Sequence, residues 1–289
     1  MIDSFLSFFC YPNFDPIIFQ LGPFAIRWYG LAYVAGFILA YMLLQRMAKG
    51  GKFRVKQELV SDLIFWLAIS VFAGGRLGWW IFYHRSEPGV REPWWEPFAV
   101  WHGGMAFHGA LLAVVIGMVL WSRARKVSFP NLADCAALVT PIGLFFGRLA
   151  NFINGELRGR ETTVPWGVVF PREDGQPGLW EYEAFARHPS QLYEAFLEGP
   201  LLLAILWLVW KYRRPAEGRT GAMFLILYGV FRFGVEFTRQ PDAQIGYIAF
   251  GWLTMGQLLS AILVVAGIGC FIVMKPKKPA TSPSSPDRP

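Results

Sequence analysis

Seven stretches of this chain are long, mostly apolar and nearly free of charge: residues 27–46, 58–83, 104–122, 131–150, 191–210, 221–237 and 253–274. Each approaches the roughly 20 apolar residues that carry a helix across a hydrocarbon core. The pattern predicts an all-α polytopic membrane protein of about seven transmembrane helices. The fourth stretch is the weakest, because it contains Pro141 and runs out into polar residues. A proline is tolerable inside the membrane where neighbouring helices satisfy the freed backbone groups. Residues 1–26 are apolar as well, but Pro12, Pro16 and Pro23 interrupt them. They are expected to form an arm lying on the interface instead of a span.

The polar positions between the spans sort by charge. One set of connections holds Arg46, Lys49, Lys52, Arg54 and Lys56, then Arg123, Arg125 and Lys126, then Lys211, Arg213, Arg214 and Arg219. With Lys275, Lys277, Lys278 and Arg288 of the tail, this side takes sixteen of the 27 basic residues. The opposite connections dilute theirs with Glu87, Glu92, Glu96, Asp174, Glu181 and Glu183. The positive-inside rule then places the N-terminus outside and the C-terminus in the cytoplasm, and an odd number of spans agrees with that change of side. The longest outer connection, 151–190, follows the fourth span and is too long for a structureless link, so it is expected to be functional. Residues 27–274 form the membrane domain. The tail 275–289, rich in Pro, Ser and Lys, is expected to be disordered. No inverted repeat of the transporter kind is evident.

Composition narrows the class further. Only 16% of the 289 residues are charged, against about a quarter in soluble domains. The net charge of +7 is mostly the sorting signal just described, with a share for anionic headgroups; it gives no reason to invoke nucleic acid. Cys10, Cys135 and Cys270 have neither metal-ligand nor redox spacing and imply no disulfide framework. A basic n-region is absent at the N-terminus, so no cleavable signal peptide is expected.

Ionisable residues within spans are costly and usually functional. Here they are Arg76, His108, Arg148, Arg232 and Glu236, with Glu194 and Glu198 on the fifth span. At 1.5 Å of rise per residue, Arg76, His108, Arg148 and Arg232 fall in the outer half of the bilayer, as does Tyr29 at the head of the first span. The blander accounts differ in strength. Arginines near helix ends can snorkel to the interface, which suits Arg27 or Arg239 alone better than three arginines at one depth. Tyr29 could belong to an aromatic belt. His108 could be a packing histidine, although its neighbours Gly103, Gly104 and Gly109 permit close approach of backbone or ligand.

The densest polar cluster is Gly147-Arg148-Leu149-Ala150-Asn151-Phe152-Ile153-Asn154-Gly155-Glu156-Leu157-Arg158-Gly159. Arginine offers a planar fork that matches phosphate. Glycines let backbone N–H groups approach an anion. A plain structural turn needs no such concentration.

These residues resemble the bacterial prolipoprotein diacylglyceryl transferases, whose signature Gly-Arg-x-(Gly/Ala)-Asn-Phe-x-Asn-x-Glu-x-x-Gly is met at every fixed position by 147–159. The resemblance covers nearly the whole chain. It includes Trp28-Tyr29-Gly30, Gly74-Gly75-Arg76, Phe107-His108-Gly109, His188-Pro189-Ser190-Gln191-Leu192-Tyr193-Glu194, Tyr228-Gly229, Phe231-Arg232, Glu236-Phe237 and Arg239-Gln240-Pro241-Asp242. Ala106 and Ala110 stand where the family often has Ser and Gly, and the loop near 172–186 looks shorter than in some members.

The resemblance implies transfer of a diacylglyceryl group from phosphatidylglycerol to the lipobox cysteine of a prolipoprotein signal peptide, at the periplasmic side of a bacterial inner membrane. It also implies the functional positions: Tyr29, His108, Arg148, Asn151, Glu156, Gly159, Arg232 and Glu236, with Arg239 and Tyr228 as weaker transfers. Arg76 and Asn154 join them as expected substrate contacts. Arg148 and Arg232 are expected to stabilise the departing phosphate, His108 to take the thiol proton and Tyr29 to orient it, while Asn151 and Glu156 fix the arginines and glycerol hydroxyls. No cofactor or metal is expected, and the enzyme's own cysteines are not needed. Both substrates arrive in the membrane plane, so openings between helices are expected. Intramembrane Arg and His would also suit a lipid or anion transporter, or a non-catalytic lipid-binding scaffold.

Overall fold

The computed structural model describes residues 9–12, 14–21, 24–50, 55–82, 95–99, 104–171, 182–213, 215–241 and 246–274. The expected tail 275–289, much of the loop near 172–186, and His102, Gly103 and Asp242 lie wholly or partly outside the described residues. The chain is a mostly helical, multi-pass membrane protein. Its helices are α1 (Trp28–Lys49), α2 (Val60–Phe82), α3 (Phe107–Ala124), α4 (Phe129–Ile153), α5 (Ser190–Phe196), α6 (Leu202–Arg213), α7 (Arg219–Val235) and α8 (Met255–Val273). Among the described residues, six helical segments are long and apolar enough to cross a membrane, with α5 and α6 counted as one.

Three expected spans differ in detail. The third begins later than residue 104: Ala106 is still extended, at φ −103° and ψ 123°, and its N–H is given to Gly75 O on α2 at 2.8 Å. The resulting α3 has 18 residues, about 27 Å of rise and near the lower limit for spanning. The fourth runs through Pro141 without a break, as a 25-residue helix. The fifth is α5 and α6 joined by a π-turn, Leu197–Leu201, in which Gly199 leaves helical geometry (φ −97°, ψ −107°). Pro200 explains the widening, because it has no N–H to give to Phe196 O and its ring would crowd that carbonyl.

The arm before α1 carries strands that apolar content alone does not announce. Strands β2 (Ile17–Leu21) and β3 (Phe24–Arg27) form an antiparallel hairpin ending at α1. The Asp15 carboxylate accepts the Ile17 N–H at 2.8 Å and steadies its entry. Strand β1 (Phe9–Cys10) pairs in parallel with β4 (Val168–Val169), whereas β5 (Tyr247–Ala249) pairs antiparallel with β6 (Leu253–Thr254) before α8.

Leu44, Leu63, Leu132, Leu138, Leu202 and Leu206 fill the centre of the helical bundle. Leu31, Val34, Ile38, Phe65, Phe72, Val265 and Ile272 face outward. Apolar tails do not drive helices together in lipid, so close packing must do it. The α2–α3 pair is the clearest case. A Cβ on Gly109 would overlap Gly74 O and lie 2.7 Å from Gly78 Cα. The glycine after His108 thus serves the approach of two backbones and seats His108, itself exposed, in the first turn of α3.

Candidate active site

The polar centre is built from four segments. Arg148 stands near the end of α4, Glu194 on α5, Glu198 in the π-turn, and Arg232, Glu236 and Arg239 on α7 and the turn that follows it. Glu194 is fully buried. One of its oxygens lies 2.7 Å from Arg148 Nη2, and the other accepts from Arg239 Nη1 at 2.8 Å. Glu236 is shared in the same way, with Oε2 at 2.6 Å from Arg232 Nη1 and 3.4 Å from Arg239 Nε. The contacts at Glu194 Oε2 and Glu236 Oε2 are charge contacts without hydrogen-bond alignment.

Glu236 Oε1 accepts from the Thr254 hydroxyl at 2.9 Å. Thr254 caps α8 in a reciprocal capping box with Gln257. The Glu236 carboxylate also lies against Gly256, in the first turn of α8, where the positive end of the helix dipole favours an anion. Three guanidinium groups are therefore tied into one buried network by shared carboxylates. Tyr29 and Tyr228 lie within electrostatic reach of Arg148. Tyr29 packs edge-on against Tyr33, with ring centroids 5.2 Å apart; Tyr228 stacks on Phe224 at 5.6 Å.

The segment after Arg148 forms a compact turn. Asn151, which is buried, and Asn154 both donate to Glu156, at 3.4 and 2.8 Å. Gln191 at the head of α5 donates to Glu156 O at 2.5 Å, and Ser190 to Leu157 O at 3.2 Å. The arginines are held by Glu194 and Glu236, with Glu198 3.6 Å from Arg148, while Asn151, Asn154 and Glu156 hold one another. Gly159 then passes between two strands of backbone. Its N–H is given to His188 O at 3.1 Å, and it bridges Arg239. A Cβ there would lie 2.7 Å from both His188 Cβ and Thr238 O. Only glycine allows this stitch, which fixes Arg239 beside Glu194.

Two outer features brace the site. The Tyr11 hydroxyl reaches Phe152 O at 2.8 Å and Ile153 O at 2.6 Å, carbonyls at the C-terminal end of α4. Burial pushes that phenol up to about 12. Near α5, Trp166 Nε1 donates to Tyr193 Oη at 2.7 Å, and Tyr193 Oη lies 3.2 Å from His188 Nδ1. Burial holds His188 below its ordinary value.

Arg76 has a different set of partners. It is 2% exposed, pairs with Glu96 at 2.9 Å, donates to Glu96 O at 2.8 Å and lies over the Trp79 ring at 4.5 Å. Glu194 and Glu198 are the residues that sequence reasoning noticed as intramembrane charges but gave no role. Thr254 carried no signal beyond its place three residues before Gln257.

A model of the prolipoprotein diacylglyceryl transferases matches residues 16–273. The chain belongs to the prolipoprotein diacylglyceryl transferase family. It is 48% identical to the phosphatidylglycerol–prolipoprotein diacylglyceryl transferase of Geobacter sulfurreducens, over 93% of this chain and 98% of that protein. It is 46% identical to the enzyme of the same name from Nitratidesulfovibrio vulgaris strain DP4, over 89% and 94% respectively. The enzyme of that name from Legionella pneumophila strain Lens is 46% identical, over 89% and 96%. The family expected from residues 147–159 is thus the one found, and the chain is a transferase of lipoprotein biosynthesis. Family membership displaces the transporter and scaffold alternatives.

Proposed function

We propose that this enzyme transfers the sn-1,2-diacylglyceryl group of phosphatidylglycerol to the lipobox cysteine of a prolipoprotein signal peptide, at the periplasmic side of an inner membrane. The six long helical segments and α3 would make seven crossings. The N-terminus lies outside and the C-terminus in the cytoplasm, in keeping with the bias of Lys and Arg. The observation that carries the site assignment is the sharing of Glu194 by Arg148 and Arg239, and of Glu236 by Arg232 and Arg239. Three guanidinium forks from α4, α7 and the turn after α7 are preorganised in one place.

The chemistry follows from charge. The cysteine S–H gives up its proton, sulfur bonds to the glyceryl carbon, and the carbon–oxygen bond to phosphate breaks. Glycerol phosphate leaves with the electron pair. The phosphate passes from one negative charge towards two, and fixed cations in a water-poor site stabilise that change more than water would. Arg148 and Arg232 are assigned this role, with Arg239 beside them. A thiol of pKa about 8.5 needs a base, and an imidazole of pKa about 6.5 is well matched to it. His108 is assigned as that base and Tyr29 as its orienting partner. Asn151, Asn154 and Glu156 shape the floor for the glycerol hydroxyls, with Gly159, Tyr228 and Arg76 supporting the substrate pocket.

Purified protein, phosphatidylglycerol labelled in its acyl chains and a lipobox peptide test the reaction. The expected result is labelled thioether peptide and released glycerol phosphate in equal amounts. Lipid movement between leaflets with no peptide product would overturn the proposal.

A further inference from the structure

Glu198 stands apart from the other carboxylates of the network. It is fully buried, and among the described residues neither of its oxygens has a hydrogen-bond donor. Its nearest cation is Arg148, whose Nε is 3.6 Å from Oε2. Arg148 is already engaged at 2.7 Å by Glu194. Glu236, by contrast, has two arginines and a hydroxyl. A fully buried ionised carboxylate without hydrogen-bond donors is costly, and beside a second buried carboxylate, Glu194, that already holds the nearest arginine, binding a proton relieves the cost.

The charge balance gives that proton a use. Arg148, Arg232 and Arg239 face Glu194, Glu198 and Glu236. With every group ionised the network carries no net charge to offer an anion. We propose that Glu198 carries a proton whenever the lipid phosphate is bound, so that the network presents one net positive charge to a phosphodiester monoanion. Glu198 is then a positioning residue: by withholding its charge it frees Arg148 for the phosphate. The carboxylate takes the proton from the outer aqueous phase and keeps it through turnover, so no atom of Glu198 enters the reaction. This rests on the reading of Arg148, Arg232 and Arg239 as the phosphate site.

The groups around Glu198 come from each element packed against the π-turn. They are Arg148 from α4, Glu194 from α5, and Arg232 and Tyr228 from α7, with Arg239 just beyond. Leu202–Trp210 of α6 contribute only apolar side chains. Glu198 is placed in the π-turn, where Gly199 and Pro200 break the α register. This is a common device for re-aiming a side chain at functional sites.

Linkage makes the proposal measurable. If binding requires the protonated carboxyl, the KM for phosphatidylglycerol rises with pH, approaching about tenfold per unit above the carboxyl's titration. The kcat at saturating lipid does not follow. In Glu198→Gln, which resembles the protonated acid in shape and charge, that rise in KM is absent. A Glu198→Gln enzyme with the wild-type alkaline rise, or a wild-type enzyme without one, overturns the role of Glu198.

A second measurement needs no variant. Phosphatidylglycerol added to wild-type enzyme in weakly buffered detergent at alkaline pH draws protons from solution, beyond a protein-free control, and phosphatidylcholine does not; absence of that uptake also overturns it. Arg148→Ala separates the two levels. A KM equal to wild type in that variant would sink the phosphate-site reading itself, whatever Glu198 does.

Discussion

Arg148 meets Glu194 at 2.7 Å, on a carboxylate fully shut off from solvent. The other oxygen of Glu194 binds Arg239 at 2.8 Å, so one side chain on α5 sets the spacing of two guanidinium groups. Removing a partner from a buried ion pair strands charge and costs roughly 3–5 kcal/mol. Glu194→Ala is expected to lower the unfolding midpoint strongly and abolish transfer. Thermal unfolding in detergent, read beside the transfer rate, checks both. An unchanged midpoint would mean that the carboxylate does not hold the arginines.

Gly159 affects the same geometry through the backbone. Gly159→Ala would drive a methyl group against His188 Cβ and Thr238 O, and overpacking of this kind costs about 1–3 kcal/mol. The displaced strand carries Arg239, so the KM for phosphatidylglycerol is expected to rise more than kcat falls. A steady-state comparison of the two constants checks it. A fall confined to kcat would place the effect elsewhere.

How far the sequence carried these assignments differs from element to element. The apolar runs foretold the helices, and the cost of charge in lipid singled out Arg148, Arg232 and Glu236. The 147–159 motif foretold a polar turn with Asn151, Asn154 and Glu156 in it. Which carboxylates hold which arginines was not legible, because that depends on the faces α4, α5 and α7 turn to one another. The hairpin of β2 and β3 was hidden because Ile17, Ile18, Phe19 and Leu21 show no alternation of apolar and polar positions. The π-turn was hidden because a proline alone does not foretell a break; Pro141 sits inside α4 with none.

His188 gives a pH dependence with a definite sign. Burial holds its pKa below the ordinary value of about 6.5, so the folded protein binds its proton less readily than the unfolded chain. The protein then loses stability as pH falls below about 6.5, and the loss levels off once pH is below the folded value. Unfolding midpoints measured from neutral pH downward are expected to fall less steeply in His188→Asn than in the wild type. Parallel slopes in the two proteins would assign the acid sensitivity to other groups.

The most direct test of the central claim is the rate of diacylglyceryl transfer by Arg148→Ala, in proteoliposomes with correctly inserted protein. Loss of one preorganised charge donor at a reacting centre is expected to slow the reaction by about 100-fold or more. A rate within about twofold of the wild type would contradict the assignment of the Arg148 cluster as the site where the phosphate leaves.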